Sequence, residues 1–159
     1  MRGFDCNLIY TQPEPDPEAV NLGAAYVEFD TLLSSSDFIT LHCPLNEDTY
    51  HLIGADELAE MKPSAILINT ARGPVVDQAA LLDALRTGII AAAGLDVTDP
   101  EPISPDDPLL ELPNVVVLPH IGSASVTTRT KMAQMAADNL IAGLRGERIP
   151  TCVNPEVYD

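Results

Sequence analysis

The chain has 159 residues, of which 46% are apolar, 20% charged and 4% aromatic. That composition suits a folded domain with a buried core, not a disordered segment. Its 24 acidic against 8 basic residues give a formal net charge of −16, which argues against a general nucleic-acid binder and against a protein drawn to anionic membranes.

The apolar runs are short and β-branched, and they alternate with amphipathic stretches. A strand is expected over 8–10, followed by a proline-rich acidic loop over 11–17. A short helix over 17–23 would stop at Gly23. A strand over 26–29 follows, and then a short helix through Ser34 that Asp30 would cap. Residues 38–43 read as a strand ended by Pro44. A helix over 56–61 is broken by Lys62-Pro63, and 65–69 is a strand. Asp77 should cap a helix over 78–86, with Gly88 as its C-terminal stop. A strand lies within 90–97, a long proline-rich loop over 99–113, and another strand over 115–119. A long helix over 125–145 places Met132, Met135, Ala136, Leu140 and Leu144 at helical spacing. The tail over 147–159 reads as irregular.

Strands alternating with helices indicate an α/β domain, a doubly wound parallel sheet with helices on both faces. Cys6, Cys43 and Cys152 are odd in number and far apart, so neither a zinc site nor a disulfide framework is expected. No run approaches the ~18 apolar residues of a membrane span. The N-terminus lacks a charged-then-apolar signal pattern. A cytoplasmic location is therefore expected.

In open parallel sheets, ligands sit at the carboxyl ends of the strands. Followed to those ends, the strand over 38–43 delivers Pro44, Leu45 and Asn46. The next delivers Thr70, Ala71, Arg72 and Gly73. The third delivers Asp96, with Glu101 in the loop behind it, and the last delivers His120, Gly122 and Ser123. Together these make a coherent hydride-transfer site. Arg72 would grip a carboxylate in bidentate fashion. His120 would exchange a proton with a carbonyl or hydroxyl oxygen. Glu101 would bond the imidazole, fix its tautomer and favour its charged form. A nicotinamide would give or take the hydride. Each residue also has a plainer reading: Arg72 as a surface arginine at a turn, His120 as a strand-end histidine, Glu101 as solvated charge, Asp96 as a cap. His42 and His51 read as structural, and no spacing supports a metal site.

Three segments carry more than this. Ile68-Asn69-Thr70-Ala71-Arg72-Gly73, then Ala93-Gly94-Leu95-Asp96-Val97 running to Glu101-Pro102, then Leu118-Pro119-His120-Ile121-Gly122-Ser123 closely resemble the D-isomer-specific 2-hydroxyacid dehydrogenases, in the family's order and approximate spacing. The resemblance runs from Gly3 to Glu156, and within the family it points to glyoxylate and hydroxypyruvate reductases. It implies a Rossmann-like sheet, NAD or NADP as cofactor, a small 2-oxo acid as substrate and a homodimer in the full-length form. It places the catalytic arginine, glutamate and histidine at Arg72, Glu101 and His120. It sets Asp96 near the nicotinamide carboxamide and lines the cofactor with Pro44, Leu45, Thr49, Thr70 and Ala71. Gly122 and Ser123 would approach the nicotinamide or substrate.

The chain departs from the family in its first part. Nine glycines include no G-x-G pair, so the phosphate-binding fingerprint is absent. Met1 matches a position near the end of the helix that follows that loop. In the strand order 3-2-1-4-5-6, the strands over 8–10 and 38–43 would lose their shared central neighbour and expose unpaired edges. Residues 1–146 thus read as a partial dinucleotide-binding domain, with 147–159 a tail returning toward a substrate domain. No acidic residue ends the strand over 8–10, so the choice between NAD and NADP stays open. Two functions compete: a reductase or its C-terminal catalytic portion, and a non-catalytic dehydrogenase-like module that binds a partner or dimerises. Truncation is the favoured explanation, with little or no activity expected of the chain alone.

Overall fold

Runs of Val, Ile and Leu bounded by Pro, Gly or Asn favour short buried strands. The computed structural model describes residues 2–159, and the side chains of all of these but Arg2 and Val20. The reading of Met1 lies outside the described residues. Strands β1 (Leu8–Tyr10) and β2 (Ala24–Tyr26) pair in parallel as a two-stranded sheet, with Leu8 opposite Ala24 and Tyr10 opposite Tyr26. Strands β3 (Phe38–Leu41), β4 (Ile66–Asn69), β5 (Ala92–Leu95) and β6 (Val115–Val117) form a separate parallel sheet in the order β3-β4-β5-β6. Among the described residues no ladder joins β1 to β3. The strands over 8–10 and 38–43 thus lie in different sheets.

Helices make the crossovers: α1 (Pro17–Asn21), α2 (Phe29–Ser35), α3 (Ala55–Glu60) and α4 (Gln78–Thr87). Between β5 and β6 a 3-10 turn over Pro108–Glu111 takes the place of a helix. Asp77 caps α4 as expected, its carboxylate accepting from the backbone N–H of Ala79 and of Ala80. Gly88 closes the same helix at φ +73°, a left-handed conformation that favours glycine.

Two local expectations shift. The second strand spans Ala24–Tyr26 instead of 26–29, and α2 begins at Phe29 with Glu28, not Asp30, at its N-cap. The early start lets Phe29, Leu32 and Leu33 pack on the core, which outweighs a side-chain cap. The tail also gains structure. Pro155–Tyr158 form a 3-10 turn, Asn139 and Thr151 exchange two hydrogen bonds, and the Arg148 guanidinium lies 5.4 Å from the centre of the Tyr158 ring.

The chain divides into two units at Pro119 and His120. The first holds both sheets and α1–α4. Its core centres on the four-stranded sheet, with Ile39, Leu41, Leu58, Leu67, Val75, Leu81, Leu95 and Leu109 buried. The second, His120–Asp159, holds α5 (Val126–Leu144), which Ser125 caps through the Thr128 N–H. No helix among the described residues is long and apolar enough to cross a membrane.

Candidate active site

The carboxyl end of β4 is built around a buried amide. Asn69 is 1% exposed. Its Oδ1 accepts from the Ala71 N–H at 3.0 Å, and its Nδ2 donates to the Arg72 carbonyl at 2.9 Å. One side chain thus folds the turn 69–72. A buried amide satisfied on both ends is worth keeping, because leaving either end bare costs about 1–3 kcal/mol. The Asn69 carbonyl accepts from the Asp96 N–H at 2.9 Å, which ties the ends of β4 and β5 together. Thr70 Oγ1 donates to the Leu41 carbonyl at 3.4 Å, linking the ends of β4 and β3.

Arg72 leaves this turn exposed, with its Nη1 donating to the Ala71 carbonyl at 2.7 Å. A 3-10 turn over Gly73–Val75 follows. It is pinned from outside. The His51 N–H donates to the Pro74 carbonyl at 2.8 Å and the Ile53 N–H to the Val75 carbonyl at 3.1 Å. Gly73 lies against the loop behind β5. A Cβ there would stand 1.9 Å from the Thr98 carbonyl oxygen and 2.9 Å from the Asp99 nitrogen. Only glycine lets the two loops approach so closely.

Beyond β5, Asp96, Val97 and Thr98 are buried, while Asp99, Pro100, Glu101 and Pro102 are exposed. Thr98 Oγ1 donates to the Pro100 carbonyl at 3.0 Å. At the end of β3, Thr49 Oγ1 donates to the Pro44 carbonyl at 2.6 Å and accepts from the Asn46 N–H at 2.9 Å. This ties the segment holding Pro44, Leu45 and Thr49 into a closed loop.

Pro44, Leu45 and Thr49, then Thr70, Ala71 and Arg72, then Asp96 and Glu101 thus follow the carboxyl ends of three strands, β3, β4 and β5, that lie side by side in one parallel sheet. His120, Gly122 and Ser123 belong to the second unit and follow β6 directly in the chain. His120 takes φ +53°, a left-handed conformation uncommon for a residue with a side chain. The Ala124 N–H donates to the Ile121 carbonyl at 2.9 Å, closing a turn around Gly122 and Ser123.

The sequence reading missed Asn69 and Gln78 as site supports. The signal for Asn69 was a polar residue ending an apolar run. Gln78 carried none beyond its place at a helix start. His42 and His51, read as structural, have local partners. His42 Nε2 is 2.9 Å from Thr40 Oγ1, and His51 Nδ1 is 3.8 Å from Asp77 Oδ2 while its ring stacks on Tyr50. Among the described residues no group of His, Cys, Asp and Glu is arranged to hold a metal ion.

The residue types at this edge suit one end of a dinucleotide. Thr70 stands exposed at the end of β4, and Asp96 is a buried acidic residue at the end of β5. The other end has no counterpart here, since no G-x-G stands in the chain to let backbone approach a pyrophosphate.

Comparison with known proteins agrees. Residues 1–122 match the model of the D-isomer specific 2-hydroxyacid dehydrogenase NAD binding domain. A glyoxylate reductase of Korarchaeum cryptofilum is 54% identical over 157 residues, which is 98% of this chain and 47% of that protein. Among solved structures, the TT0316 protein of Thermus thermophilus superposes with a TM-score of 0.89 at 45% identity, covering 96% of this chain and 47% of that one. An NADPH-dependent glyoxylate/hydroxypyruvate reductase from Sinorhizobium meliloti, solved with NADP and malonate, gives 0.87 at 37% identity over 97% of this chain and 47% of that one. The chain spans about half the length of the curated relatives it matches. Motifs, sheet and comparisons together place the chain in the D-isomer-specific 2-hydroxyacid dehydrogenase family, within its NAD-binding domain.

Proposed function

We propose that this chain is the catalytic portion of a nicotinamide-dependent reductase of a small 2-oxo acid such as glyoxylate or hydroxypyruvate. The observation that carries it is the run of three loops behind β4, β5 and β6, which hold Arg72, Glu101 and His120 in turn. The 54% identity to a protein named glyoxylate reductase supports the substrate class.

Each residue then has one task. Arg72 binds the substrate carboxylate with its planar fork. His120 gives a proton to the C2 oxygen during reduction and takes it back during oxidation. Glu101 bonds the imidazole and holds it in the tautomer the transfer needs. Asp96, Thr70, Ala71, Pro44, Leu45 and Thr49 hold the nicotinamide end of NAD or NADP, with Gly122 and Ser123 against nicotinamide or substrate. When bound, that group supplies the hydride to C2.

We further place residues 1–146 in one partial dinucleotide-binding domain and 147–159 in a tail that returns toward a substrate domain. The full-length form is a cytoplasmic homodimer in this reading. The exposed apolar side chains of Met132, Leu140 and Leu144 on α5 suit an interface.

The test titrates NADH and NADPH into the chain, with circular dichroism on the same sample. Glyoxylate and hydroxypyruvate reduction are then assayed for the chain alone and for the chain supplied with the complementary half of the Korarchaeum relative. Turnover is expected in the second sample. His120→Ala should lower kcat by about 10²–10⁴-fold, the usual worth of a general acid. No turnover in either sample, or full turnover with His120→Ala, overturns the proposal.

A further inference from the structure

Gln78 opens α4, and its amide is used at both ends. Its Oε1 accepts from the Asp99 backbone N–H at 3.0 Å. Its Nε2 donates to Asp107 Oδ2 at 3.0 Å. The other oxygen of Asp107 accepts from the Leu109 N–H at 2.9 Å, which starts the 3-10 turn over Pro108–Glu111. The two points that Gln78 holds lie on either side of Glu101 in the chain. A single half-buried side chain therefore ties down both ends of the loop that carries Glu101.

The anchor is itself fixed. Asp77 caps the helix from which Gln78 extends, accepting from Ala79 and Ala80. Just before the tied stretch, Thr98 is held against Gly73, one residue from Arg72. The loop of Glu101 is thus held twice from the stretch that follows Arg72, by backbone contact at Gly73 and by the Gln78 amide at the start of α4. The amide chemistry is specific. A primary amide offers an acceptor to the backbone N–H and a donor to the carboxylate from one planar group, which a Leu or a Glu at this position does not.

We propose that Gln78 is a positioning residue of the reductase site, setting where Glu101 stands through Asp99 and Asp107. This rests on the role given to Glu101 above. Two kinds of measurement separate the proposal from that reading.

The first reads the tie itself by NMR amide exchange on the chain. Gln78→Leu should speed exchange of the Asp99 N–H at least tenfold while the amides of β4 hold their protection. Gln78→Glu should do the same, because it sets a carboxylate against Asp107. Adding Asp107→Asn to Gln78→Glu swaps donor and acceptor and should restore protection of Asp99. If Gln78→Leu disturbs the whole domain, this rescue pair still decides the matter. Unchanged Asp99 exchange in Gln78→Glu, or no rescue by the second substitution, overturns the tie.

The second is kinetic, on the active form found in the assay above. Gln78→Leu should lower kcat about tenfold and leave KM for glyoxylate within twofold. In a Glu101→Gln background the same substitution should change kcat less than twofold. Equal losses in both backgrounds overturn action through Glu101. If Glu101→Gln alone leaves kcat unchanged, the catalytic reading of Glu101 has failed, and the exchange result still judges whether Gln78 holds the loop.

Discussion

The two sheets are built from the same kind of sequence and end in different states. In β4 and β5, buried positions alternate with half-buried ones, and Leu67 is fully enclosed. In β1 and β2 no residue is buried. Both sheets are parallel and both have a helix in every connection up to β5. The difference lies in neighbours. β4 and β5 each have a strand on both sides, while among the described residues β1 and β2 pair only with each other. A parallel strand gains its stability from being covered on both faces and flanked on both edges. Pattern alone makes the ladder, and adjacency makes the core. β3 shows the halfway case, with Phe38 and Thr40 exposed and Ile39 and Leu41 buried.

The largest expected effect breaks the stronger side of this comparison. Leu67→Ala removes a side chain from the centre of the core and should cost about 3 kcal/mol, within the usual 2–5 for such a cavity. Ile9→Ala, the matching change in the middle of β1, should cost less, about 1–2 kcal/mol, since Ile9 is only part-buried and its sheet has no buried residue beside it. Urea unfolding followed by circular dichroism reads both. Equal losses would mean that β1 and β2 belong to the same cooperative core as β4. Amide exchange sharpens the point, with β1 and β2 opening well below the global free energy that guards β4 and β5.

Next comes the junction behind the stronger sheet. Gly73→Ala sets a methyl into the Thr98 carbonyl. The backbone must yield, at about 2–3 kcal/mol by the usual cost of overpacking. Gly94→Ala is the control, since a Cβ there meets nothing within 4 Å. A melt that fails to separate the two would show that the loops of Arg72 and Glu101 are not in close contact.

Much of the molecule was legible in its residues. The strands and α-helices from Phe38 onward fell within two residues of where periodicity and breakers put them, while the 3-10 turns at Gly73–Val75, Pro108–Glu111 and Pro155–Tyr158 were not read. Asp77 and Gly88 could be read as cap and stop because their chemistry is local. The start of α2 was misread because Phe29 and Leu32 reach a core that one-dimensional spacing does not show. The strand-end rule set Arg72 and Glu101 in loops that follow β4 and β5, and those two strands do pair in parallel. It did not reveal Asn69 or Gln78, because their value lies in partners distant along the chain or hidden in a turn. Gln78 reaches Asp99 and Asp107, more than twenty residues on, and no spacing in the sequence signals that.

The smallest expected effect compares two caps made by the same chemistry. Asp77 accepts from Ala79 and Ala80 at the start of α4, and Ser125 accepts from Thr128 at the start of α5. Losing such a cap costs about 1 kcal/mol in either helix. What differs is where the loss appears. α4 buries Leu81, Ala84 and Leu85, so its first turn is bound to a packed face. Asp77→Ala should therefore lower the stability of the whole first unit by about 1 kcal/mol in a urea melt. α5 buries only Ala142 among its described side chains, near its far end. Ser125→Ala should fray residues 126–128, seen as faster amide exchange there, and shift the global melt by less than about 0.5 kcal/mol. A full-sized global shift from Ser125→Ala would mean that the first turn of α5 is coupled to a cooperative core, as α4 is.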